Sequence, residues 1–290
     1  MKKLKISTAI NLHSYRGNHP DEDLADYIRR GLIFLKERGF DAVDYSLHWL
    51  KYSDDSWRRH VERAAVDSNE IGMKIALCHL PFDSAICLDP SLLPAFNDSV
   101  HKAIDAAAML GVDYAVVHPN TKTKLMRDYN EKEIRESVLS HLAPFVEHGN
   151  RVGVNLVVEN VRYVPQPESA HRYGQTPEEL CDIADTLGIG ICWDFGHANI
   201  NGGVQSQEIA KLGSRLKVLH VNDNLRHGDD HIPPFFGSVD WRDAMHGLAL
   251  VGFDGYLNYE IAAAKIPESM RDALGKYAYD AAQELMSYIE

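Results

Sequence analysis

Short apolar runs alternate with longer amphipathic segments along the whole chain. The short runs are rich in apolar and β-branched residues, which is typical of strands buried on both faces. The longer segments repeat apolar residues every three to four positions, which predicts helices with one buried face. The predicted strands are residues 5–12, 42–47, 74–80, 114–118, 155–160, 189–194, 216–221 and 256–261, and the predicted helices are residues 21–38, 54–71, 92–110, 131–148, 177–187, 205–212, 241–251 and 268–288.

Residues at the segment ends support this pattern. Thr176 precedes a proline and two glutamates, as a helix N-cap does, and Gly149 and Gly188 stand just past the apolar periodicity, as helix C-caps do. A helix between each pair of strands is typical of βα units around a parallel sheet. Eight such units predict a single (β/α)8 TIM barrel domain over residues 1–290, close to the usual size of about 250 residues.

An open, doubly wound sheet is the alternative architecture. Such a sheet would need a glycine-rich phosphate-binding loop after an early strand. Neither GxGxxG nor GxxxxGK[ST] occurs at such a place. Two segments, 162–175 and 223–241, are long enough to form binding loops over the mouth of a barrel.

Composition indicates an ordinary soluble protein, with 45% hydrophobic and 25% charged residues. The net charge of -12 disfavours a nucleic-acid partner, because phosphate backbones are usually met by basic surfaces. The amino terminus is a poor signal peptide, and no apolar stretch is long enough to cross a bilayer. We therefore expect a cytoplasmic protein with reduced thiols, since no CxxC pair occurs among Cys78, Cys87, Cys181 and Cys192.

Ionisable side chains stand at the carboxyl ends of six predicted strands, where a barrel places its active site. The apolar run from Ile189, for example, ends in Asp194, and a glycine turn then leads to His197. Burying so many such groups together is costly unless something pairs with them, and a divalent cation would do so. The residues at these ends and in the following loops are His79, His118, Glu159, Asp194, His197, His220, Asp229, His231 and Glu260.

Three carboxylates and one imidazole at these ends, Glu159, Asp194, His220 and Glu260, predict a metal site. Such ligands suit Mn²⁺, Mg²⁺, Co²⁺ or Zn²⁺ and exclude an iron–sulfur or thiolate centre. Each residue also has a structural interpretation: a lone glutamate can pair in a salt bridge, a histidine can be a satisfied core residue, and Asp194 can cap a turn.

Five motifs resemble the xylose isomerase-like TIM barrel superfamily, and within it a sugar phosphate isomerase/epimerase. The resemblance runs from the first strand to the last helix, and the order of the motifs makes it specific to the superfamily. The motifs are VVEN at 157–160, CWDFGHAN at 192–199, HVNDN at 220–224, DDHIPP at 229–234 and YE at 259–260.

The resemblance implies a divalent-metal-dependent isomerase or epimerase of a small sugar. In ketose 3-epimerases of this group two glutamates, matching Glu159 and Glu260, exchange a carbon proton through an enediolate. A histidine and an arginine that match His197 and Arg226 contact the sugar. The metal ligands match Glu159, Asp194, His220 and Glu260.

Endonuclease IV, a DNA-repair enzyme with three zinc ions, belongs to the same superfamily and implies an alternative. Three metals would make Glu159 a bridging ligand and a poor proton carrier, and hydrolysis or another metal-assisted cleavage would be expected. Each histidine could instead hydrogen-bond a sugar hydroxyl. The positions that match its additional ligands are His79, His118, His197, Asp229 and His231.

The acidic charge argues against DNA as a substrate, since a nuclease must grip phosphates and a flipped nucleotide. Only residues 47–52, 162–165 and 171–173 offer such a grip.

A non-catalytic sugar-binding barrel is the third interpretation. Phe235 and Phe236 interrupt the glycine-rich acidic stretch found in relatives, and they could pack on the barrel, narrow the pocket or contact a neighbouring subunit, so homo-oligomerisation stays open.

Overall fold

Eight parallel strands form one sheet in which each strand hydrogen-bonds to the next parallel strand along the chain. The computed structural model describes residues 3–83, 89–120, 124–164, 170–262 and 265–289. A parallel bridge between Val221 and Tyr259 joins the last two strands and closes the sheet, so the (β/α)8 barrel is confirmed. The strands of the barrel are β1 Lys5–Ala9, β2 Ala42–Ser46, β3 Lys74–His79, β4 Tyr114–Val117, β6 Leu156–Glu159, β8 Gly190–Asp194, β9 Leu216–His220 and β10 Tyr256–Tyr259, and a separate antiparallel pair consists of β5 Lys124–Leu125 and β7 Ala170–His171.

Helices connect the strands of the barrel. Each predicted helix has a counterpart, and α6 is an addition, because it begins directly after Asp194 where the sequence predicts only a glycine turn. Cys87 and residues 165–169 of the predicted binding loop lie outside the described residues. The helices are α1 Leu24–Glu37, α2 Ser56–Ile71, α3 Leu93–Leu110, α4 Glu131–Val152, α5 Pro177–Leu187, α6 Phe195–Asn201, α7 Gln205–Leu212, α8 Trp241–Leu250 and α9 Arg271–Ser287.

Local sequence explains both ends of α5, whereas the predicted end of α4 at Gly149 was wrong. Thr176 accepts a hydrogen bond from the backbone of Glu179, which completes a capping box at the start of α5, and Gly188 ends that helix in a left-handed conformation. Gly149 does not end α4 as predicted, because the helix continues to Val152. A side chain at Gly149 would overlap Leu156, so this glycine allows α4 to approach β6 closely.

The first strand is shorter than predicted. β1 ends at Ala9, and residues Ile10–Leu12 form a 3₁₀ helix. Ile10 and Leu12 are both fully or almost fully buried. They therefore belong to the hydrophobic core that includes α1, and their apolar character comes from packing rather than from the strand.

The buried apolar residues form two clusters, one around the barrel and one inside it. The larger core lies between the strands and the surrounding helices, where Trp193 of β8 donates from its indole nitrogen to Gln205 of α7 at 2.9 Å. A smaller cluster of inward-facing residues fills the barrel interior. No helix in the described part of the chain is long and apolar enough to cross a membrane. The interior cluster consists of Ala42, Ala76, Leu77, Val116, Val157, Cys192 and Val218.

Candidate metal centre

Four neighbouring strands of the barrel place a carboxylate or a histidine at or directly after their carboxyl ends. Glu159 ends β6, Asp194 ends β8 and His220 ends β9, while Glu260 directly follows β10. Because side chains alternate along a strand, a residue two positions after an inward-facing apolar residue also faces the interior. The polar residues that follow the apolar interior residues therefore lie together at the carboxyl end of the barrel. The interior residues two positions earlier are Val157, Cys192 and Val218.

These four side chains converge into one group, which we call the four-residue group. One ligand atom from each of Glu159, Asp194, His220 and Glu260 lies within 4.8 Å of the others. His220 Nδ1 lies 3.1 Å from Glu159 Oε1 and 3.5 Å from Glu260 Oε2. The structure thus brings together all four residues that the sequence nominates, and their role as metal ligands stays a prediction.

The second oxygen of Glu159 faces a different pair of side chains. Glu159 Oε2 lies 3.1 Å from His118 Nε2 and 3.3 Å from His79 Nε2. The two imidazole Nε2 atoms are 3.1 Å apart. Glu159 therefore joins two ligand groups, one at each of its carboxylate oxygens.

A third group lies between α6 and the loop after β9. Asp229 Oδ1 lies 3.5 Å from His197 Nε2 and 3.3 Å from His231 Nε2. The other oxygen of Asp229 accepts from Arg162 Nε at 2.9 Å. Asp229 Oδ1 has no hydrogen-bond partner among the described residues, so it is available to a cation.

Backbone carbonyls orient three of the histidines. In each of them Nδ1 lies 2.8 Å from a backbone carbonyl oxygen. His79 faces the carbonyl of Leu80, His197 that of Asn160 and His231 that of Glu260. A carbonyl oxygen can only accept, so Nδ1 carries the proton, and Nε2 of each neutral ring faces its ligand group. This second contact is typical of metal-binding histidines.

Asp194 is both a helix cap and a member of the four-residue group. Its Oδ1 accepts from the backbone nitrogen of His197 at 2.6 Å, which caps α6, and its Oδ2 accepts from Asn222 Nδ2 at 2.6 Å. Asn160 holds the backbone of Asp194 by accepting from its nitrogen at 2.6 Å and donating to its oxygen at 2.9 Å. The capping interpretation is therefore correct, and it fixes the direction of the carboxylate.

A family model described as "Xylose isomerase-like TIM barrel" matches residues 32–282. The chain belongs to this family. Among its relatives is an uncharacterized protein of Methanocaldococcus jannaschii, which is 27% identical over 84% of this chain and 82% of that protein.

Solved structures with the same fold include sugar epimerases. A D-tagatose 3-epimerase-like protein is 21% identical, with a TM-score of 0.73 and 98% of each chain covered. An L-ribulose 3-epimerase is 17% identical, with a TM-score of 0.75, and the match covers 98% of this chain and 95% of that chain. At these identities the likeness establishes the xylose isomerase-like fold alone.

Imidazoles and carboxylates balance each other's charge in this xylose isomerase-like barrel. Burial opposes ionisation of Glu159, but the charges of His220 and His118 hold its pKa well below the ordinary value. Burial likewise opposes protonation of His197, but Asp194 and Asp229 raise its pKa to about 9. Without a metal ion Asp194 and Asp229 therefore favour a proton on His197, and a cation would replace that proton.

One buried carboxylate holds the loop that carries Asp229 and His231. Asp223, which is fully buried, accepts four hydrogen bonds at 2.9–3.1 Å. Gly237 closes the loop against this carboxylate, where a side chain would overlap Asp223 Oδ1. The four donors are the backbone nitrogens of Asn224, Phe235 and Val239 and the indole nitrogen of Trp241.

Arg226 lies on the same loop, beside α6. Its backbone nitrogen donates to Asn224 Oδ1 at 3.0 Å, and its Nε donates to Asn199 Oδ1 at 3.0 Å. Arg226, His231 and Phe235 all have positive φ angles of 47° to 73°, which non-glycine residues rarely adopt. Strained conformations of this kind cluster at functional sites, so the loop is a candidate part of the substrate pocket.

Three partly exposed phenylalanines lie in the loops that follow β3 and β9. Phe82, which sequence patterns did not single out, stacks on the His118 ring at 4.7 Å between centroids and stays 46% exposed. Its signal in the sequence is an aromatic residue three positions after the histidine that ends strand three. Phe236 packs edge-on against Tyr277 at 5.3 Å, yet it is 62% exposed, and Phe235 is 42% exposed.

The residues present fit a divalent cation. The four-residue group offers oxygen and nitrogen atoms at the spacing of a shared ligand shell, and both ring nitrogens of His220 lack a hydrogen-bond partner among the described residues. Cys192 also lies in this neighbourhood, with Sγ within 4.8 Å of Glu159 and His220. Burial raises the pKa of the Cys192 thiol, so the metal-free chain keeps it protonated.

Proposed function

We propose that this protein is a divalent-metal-dependent isomerase or epimerase of a small sugar or sugar derivative. The observation that carries the proposal is a pair of glutamates, Glu159 and Glu260, whose oxygens share one group with Asp194 and His220. Membership of the xylose isomerase-like family and the sugar epimerases among proteins of the same fold support it.

The two glutamates are suited to move a proton. Burial opposes their ionisation, but His220 lowers the pKa of both carboxyl groups, so each is ionised near neutral pH. One carboxylate removes the proton from the carbon beside the sugar carbonyl, and the other glutamate, after taking a proton from solvent, returns it to the enediolate. A bound divalent cation supplies positive charge at the carbonyl and hydroxyl oxygens, which stabilises that enediolate.

Side chains around the mouth bind and orient the sugar in this proposal. Phe82 presents an exposed ring on which the apolar face of a sugar can stack. Arg226 supplies a donor to a hydroxyl oxygen and His197 presents Nε2 to a hydroxyl group, and each side chain is already fixed by a hydrogen bond, to Asn199 and to the carbonyl oxygen of Asn160. Fixed side chains lose little conformational entropy on binding, which favours orientation of a small substrate.

Solvent deuterium exchange tests the proposed chemistry. Metal-loaded protein is incubated in D₂O with a panel of ketoses, and NMR follows deuterium at the carbon beside the carbonyl. Glu260→Gln should abolish exchange with at least one ketose that the wild type labels, while a metal ion stays bound. Glu208→Gln, which changes a half-buried glutamate on α7, is the matched control and should exchange at the wild-type rate.

Two outcomes contradict the proposal. One is exchange by Glu260→Gln at the wild-type rate. The other is a metal-loaded wild type that labels none of the ketoses in the panel.

A multinuclear zinc hydrolase or nuclease is the second candidate function. It is favoured by the His79, His118 and Glu159 group and by the His197, Asp229 and His231 group. These positions match the additional ligands that the resemblance to endonuclease IV implies. The net charge of -12 disfavours DNA as the substrate.

Metal content separates the two candidates. Three zinc ions per chain, cleavage of an abasic-site oligonucleotide and no deuterium exchange would establish the second function. One metal ion per chain with exchange would exclude it.

A further inference from the structure

A buried carboxylate of β2 lies inside the barrel beside the four-residue group. Asp44 is 1% exposed, and its Oδ2 accepts from Asn258 Nδ2 at 2.8 Å. Its Oδ1 has no hydrogen-bond partner among the described residues. A buried carboxylate with one neutral donor is costly unless positive charge stands nearby. Asp44 therefore needs a partner that its neighbours on β2 and β10 do not supply.

His220 faces Asp44 with the ring nitrogen that lies away from the four-residue group. His220 Nε2 lies 3.9 Å from Asp44 Oδ2, while Nδ1 lies 3.1 Å from Glu159 Oε1 and 3.5 Å from Glu260 Oε2. Neither nitrogen makes a hydrogen bond within the described chain. A neutral imidazole that offers Nδ1 to a cation must carry its proton on Nε2. That proton needs an acceptor, and Asp44 is the carboxylate on its side of the ring.

The three histidines that contact backbone carbonyls use their two ring nitrogens the other way round. His79, His197 and His231 place Nδ1 against a backbone carbonyl and present Nε2 to their ligand groups. His220 presents Nδ1, so a side chain takes the place of the carbonyl. Cys192, the other polar neighbour, carries a thiol whose pKa burial raises, so it is an uncharged and weaker acceptor.

We infer that Asp44 is a positioning residue that accepts a hydrogen bond from the Nε2–H group of His220 and so directs the Nδ1 lone pair at the cation. The inference rests on the proposed function only in requiring a divalent cation at the four-residue group. The 3.9 Å separation exceeds a hydrogen bond by about 1 Å, so a ring shift of that size completes the contact. Removing such a carboxylate partner typically weakens metal affinity by about 10–100-fold.

Calorimetric titration of Mn²⁺ into the metal-stripped full chain tests the inference. Asp44→Asn should bind Mn²⁺ about 10–100-fold more weakly than the wild type. Asp67→Asn is the matched control, because Asp67 is also 1% exposed but pairs with Arg29 and Arg63 on the helix layer. It should keep the wild-type affinity and lose thermal stability instead. Unchanged affinity in Asp44→Asn overturns the inference.

Histidine NMR on the zinc-loaded wild type gives a second test that needs no variant. The ring of His220 should carry its proton on Nε2 and bind zinc through Nδ1. A proton on Nδ1 overturns the inference, even if Asp44→Asn does not fold.

The proposed function can fail separately. A wild type that binds Mn²⁺ but exchanges no sugar proton contradicts the isomerase, while the affinity ratio of the two variants still decides the role of Asp44. A wild type that binds no divalent cation overturns both.

Discussion

Replacing Asp223 by asparagine should unfold the loop that carries Asp229 and His231 before it unfolds the barrel. Each oxygen of the Asp223 carboxylate accepts two N–H groups, at 2.9 and 3.0 Å on Oδ1 and at 3.0 and 3.1 Å on Oδ2. Asparagine keeps one oxygen and turns an NH₂ group toward the other two donors. Two charge-assisted bonds are lost, and two N–H groups in the loop then face a donor.

The expected cost follows from these contacts. A hydrogen bond to a charged group contributes about 1.5–3 kcal/mol, so the substitution should lower the free energy of unfolding by about 3–6 kcal/mol. Because the donors belong to the loop and to the start of α8, part of this loss should appear as local opening of residues 224–240.

Urea denaturation and amide hydrogen exchange measure the two effects. Asp240→Asn is the control, because Asp240 caps α8 by accepting from the backbone nitrogen of Asp243, and asparagine caps about as well. It should change the free energy of unfolding by less than about 0.5 kcal/mol. If Asp223→Asn loses less than about 1 kcal/mol and residues 224–240 stay protected, the carboxylate does not hold the loop.

Three further variants test other contacts. Gly237→Ala, which forces Cβ against Asp223 Oδ1, should cost about 1–3 kcal/mol in thermal denaturation, and wild-type stability would show that the loop is not close-packed. Burial lowers the pKa of His13 from 6.5 to about 4, so the folded chain binds fewer protons in this interval and loses stability as pH falls. Between pH 7 and 4 the wild type should lose up to about 3 kcal/mol more than His13→Asn, and equal losses in urea would contradict this. Arg226→Ala should raise KM for the sugar at least about tenfold with a smaller change in kcat, whereas an unchanged KM excludes a binding role.

The sequence predicted the barrel because buried parallel strands appear as short continuous apolar runs, whereas the helices repeat apolar residues every three to four positions. It also predicted the group around Glu159, since barrel closure brings the carboxyl ends of strands into one mouth whatever the loop lengths. Strand ends such as Ala9 were less predictable. Ile10 and Leu12 are apolar for packing, and an apolar run alone does not distinguish a strand from a buried 3₁₀ turn.

Partners of the candidate ligands could not be predicted in the same way. Asn160, Asn222 and Asp223 directly follow or closely follow strand-end ligands, so their polarity was visible in the sequence. Which atom each one holds depends on the neighbouring strand or loop, as when Asn222 of one strand end orients Asp194 of another. Asp44 was hidden for a different reason, because a polar residue within a short strand reads as ordinary alternation.

Anomalous diffraction from crystals of the full chain soaked with Mn²⁺ would locate a bound cation. We predict an anomalous peak enclosed by Glu159, Asp194, His220 and Glu260. Additional peaks at the two histidine-rich groups would favour the multinuclear function over the isomerase. No peak among these four residues, in crystals that bind Mn²⁺ elsewhere, would show that they do not form a metal site.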